Sequence, residues 1–447
     1  MEKLNVCLVN DSFPPAIDGV ANAVTNYAQI ISQKYGRAAV VTPFYPDADD
    51  SAFAFPVIRY PSVDMTKAVG YRAGIPFSPE VMNRLKGESF NLIHSHCPIT
   101  STILARALRD RIHVPLVFTY HTKFDIDIAN AVKSRLLREE AARLLVENIS
   151  ACDEVWTVSR GAGENLRKLG YQGDYLVMPN GVDFPRGRVP DGLVAQVTQD
   201  YDLPAGLPVF LFVGRMMWYK GLKITIDALT MLKQQGIDFR MVFVGAGADF
   251  DEVVSYAESC GIGGKCVFTG AIHDREVLRC WYCRADLFLF PSSFDTNGLV
   301  VREAAACSLG SLLIAGSCAA EGITHGQNGL LMEENAESMA ACLQELLAHP
   351  ESMARIGENA SRELYLSWQE AVQAAMQRYE IVIDRYQSDG YPPRREPVDN
   401  LLKANGELME NLAQLQLLRQ ELREKRTGKL PQIKGKIQAH IHQRFKE

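Results

Sequence analysis

Short, nearly continuous apolar runs recur along this chain, each followed by a longer stretch with helical spacing, and the whole series occurs twice. The first series is Leu4–Asn10, Ala38–Thr42, Leu92–His96, Pro115–Tyr120, Glu154–Val158 and Tyr175–Met178. The second is Val209–Gly214, Arg240–Gly245, Lys265–Phe268, Asp286–Phe290, Leu312–Ala315 and Leu330–Met332. A strand that is apolar on both faces must be covered on both faces, which a parallel sheet flanked by helices achieves. The stretch 184–208, rich in Pro, Gly and Asp, reads as a linker. The expectation is an α/β chain with two doubly wound, Rossmann-like parallel-sheet domains facing a cleft, over 1–185 and 205–367.

Composition sets outer bounds. A length of 447 residues, 47% hydrophobic, suffices for a core in each domain. The net charge of -6 offers no electrostatic ground for binding nucleic acid. Ten cysteines without a repeating spacing read as free thiols of a reducing compartment. Met1–Val6 reads as a first strand rather than a secretion signal. No apolar stretch approaches the roughly 20 residues that span a bilayer. The cytoplasm is therefore the expected location.

Two segments carry the chemistry. Val213-Gly214-Arg215-Met216-Met217-Trp218-Tyr219-Lys220-Gly221 follows one apolar run, and Pro291-Ser292-Ser293-Phe294-Asp295-Thr296-Asn297-Gly298-Leu299, with Glu303 beyond it, follows another. Cations at a strand end and a glycine at a helix start suit a diphosphate. A carboxylate such as Glu303 suits ribose hydroxyls, which are donors. Taken alone, Arg215 and Lys220 are an ordinary helix-start pair, and Glu303 a surface glutamate paired with Arg302. Together the two segments read as a site for a negatively charged nucleotide.

The ordered set of motifs resembles the retaining glycosyltransferases of family 4, which have the two-domain GT-B fold. Their mark is a Glu, seven residues and a second Glu; here it stands as Asp295 and Glu303, the first carboxylate one methylene shorter. The set also includes Pro14-Pro15-Ala16-Ile17-Asp18-Gly19-Val20, Tyr120-His121-Thr122, Pro179-Asn180-Gly181-Val182-Asp183 and Glu321, and runs from Asp11 to about Tyr386. The resemblance implies that Arg215 and Lys220 hold the donor diphosphate and that Glu303 holds the ribose. Asp295 and His121 would meet the transferring sugar, and Gly19 would admit the diphosphate-sugar. Backbone N–H groups at Asn297, Gly298 and Leu299 would support the phosphates. It implies no metal and no cofactor beyond the donor itself. A helix from Trp368 to Tyr386 would cross back to the first domain.

The acceptor is read from charge. A helix expected at Ala131–Val146 carries Lys133, Arg135, Arg138 and Arg143, interrupted by Glu139 and Glu140. Past Tyr391-Pro392-Pro393, Leu401, Leu408, Leu415 and Leu422 recur every seventh residue, with Leu412 and Leu418 between, a narrow helical seam. Lys425, Arg426, Lys429, Lys434, Lys436, Arg444 and Lys446 then run without an acid, with Ile437, Ile441 and Phe445 on one face. A basic segment with an apolar stripe suits an anionic membrane surface, here the inner face of the cell membrane. A solvated tail or a homo-oligomer contact is the alternative. The loops around Gly19 and His121 also resemble bacterial diacylglycerol glucosyltransferases, which implies a lipid acceptor. A soluble sugar or cell-envelope intermediate stays open.

Other signals are weaker. Asp125-Ile126-Asp127 has a metal-binding spacing in the wrong context. Gly245-Ala246-Gly247 begins a dinucleotide fingerprint, but Phe250 replaces its third glycine, which disfavours a nicotinamide-dependent oxidoreductase. Cys280 and Cys283 read as packed thiols, and His94 and His96 as two imidazoles on one strand face without a third ligand.

Overall fold

The computed structural model describes residues 4–388, apart from 17, 67–71, 126–127 and 129–133. The strands are β1 (Leu4–Val9), β2 (Gly36–Pro43), β3 (Val57–Tyr60), β4 (Ser62–Asp64), β5 (Arg72–Gly74), β6 (Leu92–Ser95), β7 (Leu116–Tyr120), β8 (Glu154–Thr157), β9 (Leu176–Val177), β10 (Val209–Val213), β11 (Arg240–Val244), β12 (Cys266–Gly270), β13 (Leu287–Phe290), β14 (Ser311–Ile314) and β15 (Leu330–Met332). They form a seven-stranded sheet in the order β3-β2-β1-β6-β7-β8-β9 and a six-stranded sheet in the order β12-β11-β10-β13-β14-β15. Every pairing within these two sheets is parallel. β4 and β5 make a small antiparallel hairpin.

Alternation along β1 explains why its run is apolar throughout. Val6 and Leu8 enter the core on one face of the sheet, while Cys7 and Val9 enter the core on the other. The Val6 face is covered by the helix Gly19–Ile30 and by Trp368–Ser388, whose Trp368, Val372, Ala375, Tyr379 and Val382 all lie in that core. The last described helix thus closes the first sheet. Its Tyr379 ring stacks on Trp156 with centroids 5.3 Å apart. The connection that brings it back runs beside Gly181, where a Cβ would lie 2.3 Å from Trp368 N.

The stretch 184–208 is more than a linker. It contains a helix, Asp191–Thr198, and Phe184, Val189 and Val194 are buried in the second core. The cause is local: Val194 falls on the inner face of a turn that the surrounding Pro and Gly residues disguise. The basic helix lies at Arg135–Ser150, and the start of the expected 131–146 span falls outside the described residues. The leucine seam and the basic run of 391–447 also lie outside them. Among the described residues no helix is long and apolar enough to cross a membrane.

In each sheet the chain winds outward in both directions from an interior pair, β1 and β6 in the first, β10 and β13 in the second. Open α/β sheets leave a crevice at such switch points, beyond the carboxyl ends of the strands. The segments 214–221 and 291–298 leave β10 and β13 there.

Candidate active site

The two segments meet through three contacts. Lys220 Nζ lies 2.8 Å from Asp295 Oδ1 and 2.9 Å from Oδ2. The rings of Tyr219 and Phe294 are 4.6 Å apart. Gly221, at φ +77°, sits where a Cβ would lie 1.9 Å from the Pro291 carbonyl oxygen. Only glycine takes that conformation at that distance without strain. Asp295 Oδ2 also accepts from Ser292 Oγ at 2.6 Å. Lys220 is buried, its ammonium near the rings of Tyr219, Phe290 and Phe294 at 5.6 to 5.8 Å. The lysine and the aspartate, assigned to diphosphate and sugar in turn, are thus also partners of each other.

Arg215 is exposed, its guanidinium 5.9 Å from the Tyr219 ring centroid. Among the described residues it has no carboxylate partner. Its loop is backed by 245–247. A Cβ at Gly245 would lie 1.8 Å from Gly214 O, and one at Gly247 would lie 2.3 Å from Met216 O. The glycines that begin a dinucleotide fingerprint therefore serve packing beneath the arginine loop. Gly298, at φ +57°, opens the helix Leu299–Ala306, which has no side-chain cap. Its first N–H groups, Asn297 N–H beside them, present positive charge toward the crevice.

Glu303 is buried on that helix and is not paired with Arg302, whose Nη1 instead donates to Leu364 O at 3.0 Å. Its Oε1 lies 2.6 Å from Arg275 Nη2, and its Oε2 accepts from Tyr282 OH at 3.0 Å. Burial pushes its carboxyl above the ordinary range, against the pull of Arg275. Arg275 lies over the Phe184 ring at 4.3 Å and within 3.9 Å of Asp183, which accepts from Asn22 and Asn26 of the first-domain helix at 3.3 Å. A polar chain therefore joins the two halves through Glu303.

On the first-domain side, a Cβ at Gly19 would meet no atom of the described residues within 4 Å beyond its chain neighbours and its own helix backbone. Asp18 caps the helix through Val20 N–H and Ala21 N–H. His121 is buried at the end of β7. Its Nε2 is 3.0 Å from His96 Nδ1, and its Nδ1 is 3.4 Å from Asn180 Nδ2. The His94 ring lies tilted against that of His96, centroids 4.0 Å apart, and its nitrogens bond Tyr379 OH and Thr119 Oγ1 at 2.5 and 2.7 Å. Burial pushes His121 down to about 3 and holds His94 and His96 well below the ordinary imidazole range, so all three are neutral.

Some residues of the site escaped the sequence reading. Arg275 and Tyr282 sit on one face of a helix whose Cys280 and Cys283, both buried free thiols, drew attention instead. Glu321, part of the family motif, caps the first-domain helix Arg160–Lys168 by accepting from Arg160 N–H and Gly161 N–H at 2.7 and 2.6 Å. Asp127 falls outside the described residues. Among those described, no group of three or more His, Cys, Asp or Glu is arranged to hold a metal ion.

Residues 17–186 match the family model described as Glycosyltransferase Family 4, and residues 196–363 match the one described as Glycosyl transferases group 1. The chain is 21% identical over 369 residues to the alpha-monoglucosyldiacylglycerol synthase of Acholeplasma laidlawii, covering 80% of this chain and 92% of that protein. It is 29% identical over 328 residues to the D-inositol 3-phosphate glycosyltransferase of Rhodococcus opacus, covering 69% and 71%. Its fold is similar to that of Anabaena HepE in complex with UDP-glucose, with a TM-score of 0.67 at 17% identity over 85% of this chain and 100% of that one. Two matched halves, each a doubly wound parallel sheet, make the conclusion plain: the chain belongs to the GT-B glycosyltransferases of family 4 and group 1.

Proposed function

We propose that the protein moves a sugar from a nucleotide-diphosphate sugar to a hydroxyl, with retention at the anomeric carbon, and that the acceptor is a membrane lipid such as diacylglycerol. One observation carries the donor half: at the β10–β13 switch point an exposed Arg215, the Lys220–Asp295 pair and an uncapped helix start at Gly298 come together. The cations and N–H groups would take the diphosphate. Glu303, its carboxylate aimed by Arg275 and Tyr282, retains lone pairs for ribose hydroxyls.

As the bond between sugar and phosphate breaks, negative charge grows on the leaving diphosphate. Arg215 and Lys220 stabilise it there, which lowers the barrier as well as tightening binding. The acceptor hydroxyl attacks from the same face and gives its proton to the leaving phosphate oxygen. Asp295, held by Ser292 and Lys220, would border the sugar. His121 would border it as a neutral ring; to bond a sugar hydroxyl it gives up one nitrogen contact, and that to Asn180, at 3.4 Å, is the weaker. No metal enters this scheme.

The lipid acceptor draws support from the relative named for diacylglycerol and from the basic run 425–446. The ion pairs of Arg135 with Glu139 and of Arg143 with Glu140 lessen the charge that the helix Arg135–Ser150 offers a membrane. Leu137 and Leu144 of that helix are nevertheless exposed. Calorimetry with UDP-, GDP- and ADP-sugars, followed by transfer to diacylglycerol vesicles and to soluble sugars, tests the reading. Anomeric proton couplings of the product report retention. No binding of any nucleotide sugar would refute the donor assignment, and transfer to soluble sugars alone would refute the lipid one.

A further inference from the structure

The start of the helix Arg160–Lys168, on the first sheet, is held from the other half of the molecule. Glu321 accepts from the N–H groups of Arg160 and Gly161. Ser159 Oγ accepts from Ala162 N–H at 3.0 Å. Three N–H groups that a helix start leaves open are thus satisfied, two of them across the cleft. The same Ser159 hydroxyl donates to the Thr296 carbonyl oxygen at 2.5 Å, and Lys123 Nζ donates to the Ser293 carbonyl oxygen at 3.3 Å. Those two carbonyls bracket Asp295. Small residues permit the approach. A Cβ at Gly161 would lie 2.4 Å from Cys318 Sγ and 3.2 Å from Glu321 Oε1. The turn Cys318–Ala320 in turn backs the loop before the helix Leu299–Ala306, since a Cβ at Gly298 would lie 2.9 Å from Ala319.

We infer that Glu321 and Ser159 are positioning residues that tie closure of the cleft to the shape of the 291–298 loop. The inference rests on the donor-site reading above. Neither residue belongs to the proposed donor contacts. Glu321 places a carboxylate at the positive end of a first-domain helix, where charge and hydrogen bonding both favour it. The Ser159 hydroxyl acts twice, accepting within its own helix and donating to the loop, so parting of the halves breaks the second bond and leaves the first intact. In the parted state the loop that carries Asp295 and Asn297 loses two first-domain tethers. A ligand that needs that loop in place therefore favours the closed state, and closure favours the ligand by the same factor.

The test uses the full chain with Glu321→Ala, Ser159→Ala, Ser159→Thr and Gly161→Ala. Small-angle X-ray scattering without nucleotide reads closure, and calorimetry with UDP, GDP and ADP reads the loop. Glu321→Ala and Ser159→Ala are expected to raise the radius of gyration and to weaken the nucleotide the wild type binds by about tenfold, a typical coupling. Ser159→Thr, which keeps the hydroxyl, restores both. Gly161→Ala favours the helix, so its melting temperature holds or rises, yet the added methyl wedges the halves apart and weakens binding. Wild-type dimensions and wild-type affinity in Glu321→Ala and Ser159→Ala would overturn the inference. If the wild type binds none of the three nucleotides, the donor reading has failed, and scattering alone then decides whether these residues hold the halves together.

Discussion

Lys220 and Asp295 form a partly buried ion pair between segments 75 residues apart, the ammonium 2.8 and 2.9 Å from the two carboxylate oxygens. Each is the other's counter-charge until a donor enters. Removing Lys220 alone leaves a partly buried carboxylate facing the incoming diphosphate, a double loss. Lys220→Ala is therefore expected to lower kcat by about 10²-fold or more, as loss of a transition-state donor does. Asp295→Asn in the same chain should recover part of nucleotide binding, with a coupling of about 1–3 kcal/mol in a double-mutant cycle. Additive losses would show that the pair does not act as one.

Arg215, exposed and without a carboxylate partner among the described residues, should behave differently. Its loss removes charge from the diphosphate without stranding a buried group. Arg215→Ala should keep its melting temperature within about 1 °C, because surface changes fall within about 0.5 kcal/mol. Its kcat should drop by about 10²-fold. Near-normal turnover would sink the phosphate assignment.

Glu303→Gln keeps the shape of the side chain and removes the charge opposite Arg275. It is expected to weaken UDP, GDP or ADP, whichever binds, by about tenfold, because the carboxylate accepts from ribose more strongly than an amide does. Asp295→Asn should weaken the intact sugar donor more than the plain diphosphate. Equal losses for both ligands in both variants would contradict the division between ribose and sugar.

Acidity tests the buried imidazoles. In the unfolded chain each histidine titrates near 6.5. Folding drops His121 to about 3 and holds His94 and His96 well below their ordinary range, in each case through burial first. The unfolded state therefore binds protons that the folded state refuses. The stability is fully present above about pH 6.5 and is lost progressively as pH falls from there toward 3, at about 1.4 kcal/mol per pH unit for each fully titrating group. Asp11 and Glu303, whose carboxyls burial pushes up, act in the opposite sense. Melting temperatures between pH 7.5 and 5 should fall, and His96→Gln should fall less steeply. An unchanged slope in that variant would count against the assignment.

If Arg215 and Lys220 take the diphosphate as proposed, transfer should survive chelation. Enzyme dead in EDTA and revived by magnesium or manganese would overturn this and return attention to Asp125 and Asp127. A chain ending at Ser388 should fold and bind donor, because the core that the last described helix completes is filled by Val382. It should lose salt-sensitive sedimentation with anionic vesicles, to which each of seven cations contributes about 1 kcal/mol at most. Equal sedimentation of both chains would leave the leucine seam as an oligomer contact.

Much of the architecture was legible because apolar runs buried on both faces have few other uses. All six strands of the second sheet lie where such runs predict them. β3 was missed because Val57-Ile58-Arg59-Tyr60 is an edge strand, half-exposed at alternate residues and too short to stand out. At the candidate site, Arg215, Lys220, Asp295 and Glu303 stand out in the sequence because each lies on the loop or helix that follows a strand of the second sheet. Their partners were not. Arg275 reaches Glu303 from another helix and Asp183 in turn reaches Arg275, while Ser159 and Glu321 make separate bonds across the cleft, so only tertiary approach creates these pairs. Gly161 in the first turn of a helix, where an alanine would serve the helix better, was the one local sign of that approach.

The returning helix Trp368–Ser388 has a consequence for how the chain is made. The first sheet is translated first, yet part of its core is supplied by Trp368, Val372, Tyr379 and Val382, near the far end. On the ribosome the second sheet, whose core draws on residues between Phe184 and Ile356, has its full set of side chains earlier. The half that emerges first is thus the half that finishes folding last. Until the helix arrives, the apolar face around Val6, Leu8 and Trp156 stays open, a surface that nascent-chain chaperones bind and that a stalled or truncated product would expose.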